Sequence, residues 1–189
     1  MNPTQFYSVL TRNFPFQPTY KQDIFFQMVA QFASNSNNDE IFVLKGYAGT
    51  GKTTVISTLV NNLSEINRKY VLLAPTGRAA KVIANYSNKP AFTIHKKIYR
   101  QKSSKDGFGK FVLDKNLHTR TVFIIDEASM ISNQKQEGSV FGSGKLLDDL
   151  IEYVYNGKGC KLILVGDNAQ LPPVGTDISP ALAHTSLRL

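Results

Sequence analysis

Residues 46–53 read Gly46-Tyr47-Ala48-Gly49-Thr50-Gly51-Lys52-Thr53, a complete phosphate-binding loop. The loop lies between an apolar run, residues 41–44, and a helical pattern over residues 52–63 with one apolar stripe. The motif needs this order of strand, glycine-rich turn and helix, because its backbone N–H groups wrap phosphate oxygens at the helix N-terminus. A glycine-rich turn without a ligand is the alternative, and the flanking elements disfavour it. We therefore predict a nucleoside triphosphate site. The expected contacts are Gly46, Ala48, Gly49, Thr50, Gly51, Lys52, Thr53 and Thr54.

Two loop side chains and two acidic residues further along predict the chemistry of this site. In such a loop Lys52 places its charge on the β- and γ-phosphates, and the Thr53 hydroxyl binds Mg²⁺. Asp126 and Glu127 directly follow the apolar run of residues 122–125. We expect Asp126 to hold Mg²⁺ together with Thr53, and Glu127 to accept a proton from an attacking water. Acidic residues also suit a helix N-terminus, so a capping role for the pair stays open.

Two glutamines are further candidates. Gln170 lies in a proline-marked loop, residues 170–175. Its neutral amide can donate to the γ-phosphate and accept from a water, or it can simply tie down the loop backbone. Gln22 follows Thr19 by three residues, which is the spacing of a capping box at the start of a helix. The sequence thus gives Gln170 a catalytic role and places Gln22 at a helix N-terminus.

The fold class follows from four short apolar runs, which are nearly continuous rather than alternating. Such runs are typical of strands buried on both faces of a parallel sheet. Helical patterns begin near Thr19 and at Gly77, and others cover residues 52–63 and about 145–155. We predict a doubly wound α/β domain whose polar residues meet at the carboxyl edge of the sheet. The four predicted strands are residues 41–44, 71–73, 122–125 and 162–165.

Composition limits the class and the setting of the protein. The chain has 189 residues, of which 42% are hydrophobic and 19% charged, as in an ordinary globular domain. No apolar stretch approaches the roughly 20 residues that span a bilayer. Cys160 is the single cysteine, and it leads into an apolar run, so we expect a core residue rather than a disulfide or a nucleophile. We therefore expect a monomer in the cytoplasm with no membrane contact.

The charge distribution points to a polyanionic partner. Lys and Arg number 22 against 14 Asp and Glu, which gives a net charge of +8. Residues 95–120 hold eight Lys or Arg and two Asp, and so carry six of those eight charges. Such a surface attracts nucleic acid, although a loop kept soluble by lysines is the alternative. Asp106-Gly107 is a turn signal inside this segment and predicts a basic β-hairpin over residues 98–115.

Taken together, these strings resemble the first motor domain of superfamily-one DNA helicases of the RecD-like and Dda-like branch. The resemblance runs from about residue 18 to residue 176, and residues 1–17 match no motif. It implies a RecA-like P-loop NTPase fold, ATP and Mg²⁺ as cofactors, and single-stranded DNA at a duplex fork as the partner. It also implies translocation from five-prime to three-prime. The matching segments are residues 19–22, 46–53, 74–81, 93–95, 125–130 and 166–174.

The resemblance also implies residue roles. Gln22 would read the edge of adenine, and one or both rings of the hairpin would stack on a base at the fork. Residues 76–78 open a helix, so their N–H groups and a guanidinium could face phosphates, or they could form an ordinary helix start. Thr93 could equally cap a helix, and the hairpin rings could equally anchor the hairpin. The implied nucleic-acid contacts are Pro75, Thr76, Gly77, Arg78, Thr93, His95, Phe108 and Phe111.

One departure from the helicase pattern concerns the second motor domain, whose arginine reaches the γ-phosphate in relatives. Residues 179–189 contain no such motif. We therefore expect one motor domain over residues 1–189 that binds nucleotide, hydrolyses it slowly and does not unwind DNA alone. Two alternatives stay open: a phosphotransferase acting on a small acceptor, and a non-catalytic nucleic-acid-binding module.

Overall fold

The structure is a computed structural model and describes residues 1–36, 40–102, 109–133, 140–167, 181 and 187–188. Within these residues no helix combines the length and the apolar character that crossing a bilayer requires. The helices are α1 (Pro3–Asn13), α2 (Tyr20–Ser34), α3 (Lys52–Asn62), α4 (Gly77–Ser87), α5 (Ile94–Ile98) and α6 (Leu146–Tyr155). The strands are β1 (Ile41–Lys45), β2 (Lys69–Ala74), β3 (Ala91–Thr93), β4 (Tyr99–Lys102), β5 (Lys110–Leu113), β6 (Thr121–Ile125), β7 (Lys161–Gly166) and β8 (Leu187–Arg188).

The main sheet has the strand order β3-β2-β6-β7-β1-β8, and every recorded pair in it is parallel. Helices cover both faces of this sheet. Strands β4 and β5 form a separate antiparallel hairpin. The predicted α/β fold, with a parallel sheet flanked by helices and a small hairpin, is confirmed. All four predicted strands are present, each one to three residues longer than its apolar run.

Two cores explain why the strand sequences are apolar on both sides. Leu44 and Ile124 face a core that α1, α2, α3 and α4 cover. Their neighbours Val43 and Ile125 face a second core, which is built with α5 and α6. Because strand side chains alternate between faces, a strand covered on both sides must be apolar throughout. Cys160 is fully buried in the second core, as expected for a core residue.

The N-terminal segment adds a helix for which the sequence analysis made no prediction. Asn2 and Gln5 form a capping box, and α1 packs Phe6 and Leu10 into the first core beside α2. The short edge strand β3 was also not predicted, because three residues with one exposed aromatic make no apolar run. Both elements lie next to candidate contacts that are described below.

Candidate nucleotide site and strand-contact surface

The phosphate loop connects β1 to α3. Gly49 and Gly51 have φ angles of +78° and +84°, a left-handed conformation that favours glycine. Gly51 is the N-terminal cap of α3, and among the described residues no side chain caps that helix. The first N–H groups of α3 therefore point into the loop without a side-chain acceptor, which is the arrangement that binds phosphate.

Lys52 lies inside this loop. Its Nζ donates to the carbonyl oxygens of Gly46 and Tyr47 at 2.5 and 2.8 Å. The same ammonium lies 4.0 Å from Oδ2 of Asp167, a buried carboxylate directly after β7. Lys52 is thus held at the carboxyl edge of the sheet, with a carboxylate from the neighbouring strand beside it.

Asp126 and Glu127 emerge from β6 at the same edge. Burial raises the pKa of Asp126 to about 6, and the neighbouring Glu127 charge adds to this rise. Two contacts oppose it, namely the Glu127 N–H, which donates to Asp126 Oδ1 at 3.0 Å, and the positive charge of Lys52. Glu127 has a φ of +55°, a strained conformation for a non-glycine residue that costs about 1–3 kcal/mol and is common at functional sites. Glu127 precedes a single 3-10 turn, Ala128–Met130, and its side chain makes no capping bond to the described residues of that turn. The geometry therefore gives no support to the capping alternative.

A divalent cation suits this edge. Strand β7 lies between β1, which leads to Thr53, and β6, which leads to Asp126. Mg²⁺ prefers oxygen ligands and keeps several waters, so one hydroxyl and one carboxylate separated by a strand are an adequate set. Asp126 is a desolvated carboxylate whose ionised form a cation would stabilise. The donor chemistry fits magnesium.

An open cleft of about 660 Å³ adjoins the phosphate loop. Its walls are the segment before α2, the first turn of α2, and loop residues that include Gly49, Thr50 and Thr54. Phe14 is anchored in the core against Phe26, and Phe16 is 67% exposed at the cleft. A flat, partly apolar wall beside a phosphate site has the character that a nucleobase requires.

Gln22 connects α2 to the loop. It completes the capping box with Thr19, because its Oε1 accepts from Thr19 N at 3.0 Å and its N–H donates to Thr19 Oγ1 at 3.4 Å. In addition its Nε2 donates to the Thr50 carbonyl oxygen at 3.2 Å. An amide has two N–H groups and two lone pairs, so one donor and one acceptor remain for a base.

Two segments are predicted to contact single-stranded DNA. One directly follows β2, and the other begins at Thr93, the last residue of β3. Thr76 caps α4 by accepting from Ala79 N at 3.2 Å, and Thr93 caps α5 by accepting from Lys96 N at 3.3 Å. Residues 76–78 are exposed and Pro75 is half-buried. Both threonines therefore have the capping geometry that the sequence analysis left open, and their contact with nucleic acid stays a prediction.

His95 and Phe111 lie in one aromatic cluster, which contains His95, Tyr99, Phe111 and Phe141. The Phe141 ring centroid is 4.9 Å from that of His95 and 4.6 Å from that of Phe111. Burial lowers the pKa of His95. Hydrogen bonds of 2.8 Å also join Phe111 N to Val140 O and Gly142 N to Phe111 O. Phe111 has the geometry of an anchor for the hairpin, whereas Phe108 and Gln170 lie outside the described residues.

Comparison with known proteins agrees with this arrangement. A family model for the AAA domain matches residues 26–184. The chain belongs to this family. The resemblance to superfamily-one helicases is confirmed by curated relatives at about 30% identity.

Three relatives show that the similarity to this chain covers only part of longer proteins. An uncharacterised protein of Methanocaldococcus jannaschii is 36% identical over 78% of this chain and 13% of its own length. The ATP-dependent RecD2 DNA helicase of Deinococcus radiodurans is 29% identical over 76% of this chain and 17% of its own. The ATP-dependent DNA helicase dda of Enterobacteria phage T4 is 31% identical over 75% of this chain and 31% of its own. The chain spans between about an eighth and a third of the length of these relatives.

The structure of the AAA domain adds site residues that the sequence analysis did not name. Asp167 lies in the matching segment 166–174 without an assigned role, although its position directly after an apolar run is a usable signal. Phe14, Phe16 and Gln17 line the cleft, and only the aromatic residues just before the Thr19 cap hinted at a wall there. The structure brings the phosphate loop, Gln22, Asp126, Glu127 and Asp167 to one edge of the sheet.

Proposed function

We propose that this AAA domain is the ATP-hydrolysing motor domain of a DNA helicase that moves on single-stranded DNA from five-prime to three-prime. The observation that carries the proposal is the edge at which Lys52, Asp126 and Asp167 follow three different parallel strands of one sheet, β1, β6 and β7. The named helicases to which the chain is similar, and the net charge of +8, support DNA as the partner.

Nucleotide binding would begin with the loop. Its N–H groups and the Lys52 ammonium would hold the β- and γ-phosphates, replacing the carbonyl contacts of Lys52. Thr53 and Asp126 would hold Mg²⁺, which neutralises phosphate charge. The adenine would lie in the cleft, where Gln22 still has one donor and one acceptor for the base edge.

Hydrolysis would depend on Glu127. Its backbone is fixed in the left-handed region beside Asp126, so its carboxylate would accept the proton of a water aimed at the γ-phosphate. Gln170, in the segment that continues from Asp167, would couple the state of the γ-phosphate to the contacts with single-stranded DNA. The residues that would make these contacts are Pro75, Thr76, Gly77, Arg78, Thr93 and His95.

Glu127→Gln tests this assignment, with Glu152→Gln as the matched control. Glu152 is exposed on α6, remote from the phosphate loop in the sequence. Single-turnover ATP hydrolysis with single-stranded DNA should slow by at least about 100-fold in Glu127→Gln, because the general base is lost. Affinity for a fluorescent ATP analogue should stay within about threefold of that of the parent chain, because the phosphate contacts remain. Glu152→Gln should change neither value.

Other outcomes would favour the alternatives. Phosphate appearing on an added small acceptor, at a rate indifferent to DNA, would favour a phosphotransferase. An unchanged rate of ATP hydrolysis in Glu127→Gln would contradict the assignment of Glu127 as the general base. Failure of the parent chain to bind the ATP analogue would contradict the proposal as a whole.

A further inference from the structure

A long stretch of this chain contains no acidic residue. Residues 66–105 hold ten Lys or Arg and neither Asp nor Glu. This stretch includes α4, β3, α5 and β4, which surround the predicted strand-contact segments. A surface made from these elements is complementary to a phosphate backbone.

Within this stretch Phe92 is unusually placed. It is the middle residue of β3, the edge strand of the described sheet, and its side chain is 39% exposed. It pairs in register with Leu73, the penultimate residue of β2, immediately before Ala74 and Pro75. Phe92 therefore lies next to the carboxyl edge of the sheet, where the predicted DNA contacts begin.

Lys96 stands over this ring. Its Nζ lies 5.9 Å from the Phe92 ring centroid, within the range of a cation–π contact. Lys96 is exposed and lies one turn into α5. An exposed aromatic ring with an exposed ammonium beside it suits single-stranded nucleic acid, because the ring can stack on a base and the ammonium can pair with a phosphate.

The neighbouring residues are partly committed elsewhere. Thr93 Oγ1 accepts from Lys96 N, and the His95 ring packs against Phe141. Phe92 and Lys96, by contrast, present ring and charge to solvent. Phe92 and Lys96 therefore offer a DNA strand two further contacts beside Thr93 and His95.

We propose that Phe92 and Lys96 bind one nucleotide of single-stranded DNA, with the base stacked on the Phe92 ring and the adjoining phosphate paired with Lys96. The inference rests on the proposed function, which supplies the strand. Stacking tolerates any base, so this contact would increase the affinity for single-stranded DNA without sequence preference.

Phe92→Ala tests the stacking half. The parent chain and the variant are titrated against a labelled oligothymidylate and against an abasic oligomer of the same length, with fluorescence anisotropy as the readout. Affinity for the oligothymidylate should fall by about 5- to 100-fold, and affinity for the abasic oligomer should not change. Phe92→Leu, which keeps an apolar side chain for the fold, should show the same selective loss. Tyr86→Ala is the control, because Tyr86 is an exposed aromatic on α4.

A second readout uses the absence of tryptophan from the chain. In Phe92→Trp the new indole is the single tryptophan, and base stacking should quench its emission with oligothymidylate but not with the abasic oligomer. For the phosphate half, Lys96→Gln should reduce the slope of log affinity against log salt by about 0.7, the value for one contact on a single strand. Lys158→Gln, an exposed lysine before β7, should leave the slope unchanged.

The outcomes separate the two proposals. If the parent chain binds oligothymidylate while Phe92→Ala and Phe92→Leu bind it equally well, the Phe92 contact is wrong and the proposed function stands. Equal losses on both oligomers would also overturn the stacking. If the parent chain binds no single strand, the DNA part of the proposed function fails, and this inference fails with it.

Discussion

The phosphate-loop edge and the hairpin side of this AAA domain are fixed in different ways. At the edge, Asp126 and Asp167 directly follow buried parallel strands and Lys52 follows β1 through the phosphate loop, so the main chain dictates where they lie. On the hairpin side, position depends on side chains that meet from distant parts of the chain, such as Phe111 and Phe141. The main chain therefore fixes the geometry of the phosphate-loop edge, whereas side-chain packing leaves the hairpin side open to variation.

The attachment of the hairpin shows this dependence in detail. The Tyr99 hydroxyl donates to Asp149 Oδ2 at 2.6 Å, and Ser143 N donates to the same oxygen at 3.0 Å. Burial, together with the Asp149 carboxylate, raises the pKa of Tyr99. One carboxylate of α6 therefore holds both the first strand of the hairpin and the segment that carries Phe141.

The strongest test of this contrast is Lys52→Ala. Loss of the ammonium should weaken ATP binding by at least about 100-fold, because a charge-assisted contact to the triphosphate disappears. Affinity for single-stranded DNA in the absence of nucleotide should stay within about twofold, since the two regions are held separately. Titrations with a fluorescent ATP analogue and a labelled oligonucleotide measure both, with Lys158→Ala as the control. A comparable loss of DNA affinity would show that the regions are not independent.

Gly142→Ala probes the hairpin side, and Gly159→Ala is its matched control. Both glycines have a positive φ, +46° and +67°, so each alanine should cost about 1–2 kcal/mol in the free energy of unfolding. A Cβ at position 142 would also collide with Asp149 and with the Tyr99 ring, whereas at position 159 the nearest atom is 3.7 Å away. We expect Gly142→Ala to lose about 1–3 kcal/mol more than the control.

Urea unfolding of both variants measures this difference. ATP affinity should change little in Gly142→Ala if the nucleotide edge is independent of the hairpin. Equal unfolding free energies for the two variants would refute the packing account of the hairpin.

A smaller effect is expected for Gln22→Ala, which cuts the side-chain link between α2 and the phosphate loop. The variant loses the capping box and the bond to the Thr50 carbonyl, which should lower the free energy of unfolding by about 1–2 kcal/mol. ATP affinity should fall by about tenfold, as one hydrogen bond to the base and the loop position are lost. Gln27→Ala is the control, because Gln27 contacts Asp23 on the same helix. Unchanged ATP affinity in Gln22→Ala would mean that the main chain alone positions the loop.

The same contrast explains what the sequence could predict. The phosphate loop, the strands and the place of Asp126 follow from local patterns that the main chain translates directly into position. The Lys52–Asp167 pair and the wall at Phe16 could not be predicted, because each joins segments whose separation along the chain gives no periodic signal. For Phe111 the sequence left two roles open, a base contact and an anchor for the hairpin. It could not decide between them, because Phe141 lies thirty residues later and reaches Phe111 only through the fold.

Strand β7 lies between β1 and β6 and thereby sets the distance between these two strands. Neighbouring strands are about 4.8 Å apart, so the axes of β1 and β6 run about 10 Å from each other. Because β7 is hydrogen-bonded on both sides, the spacing of the strands that lead to the phosphate loop and to the acidic pair cannot change without breaking the sheet. Asp167 directly follows β7 and therefore lies between these two segments at the carboxyl edge.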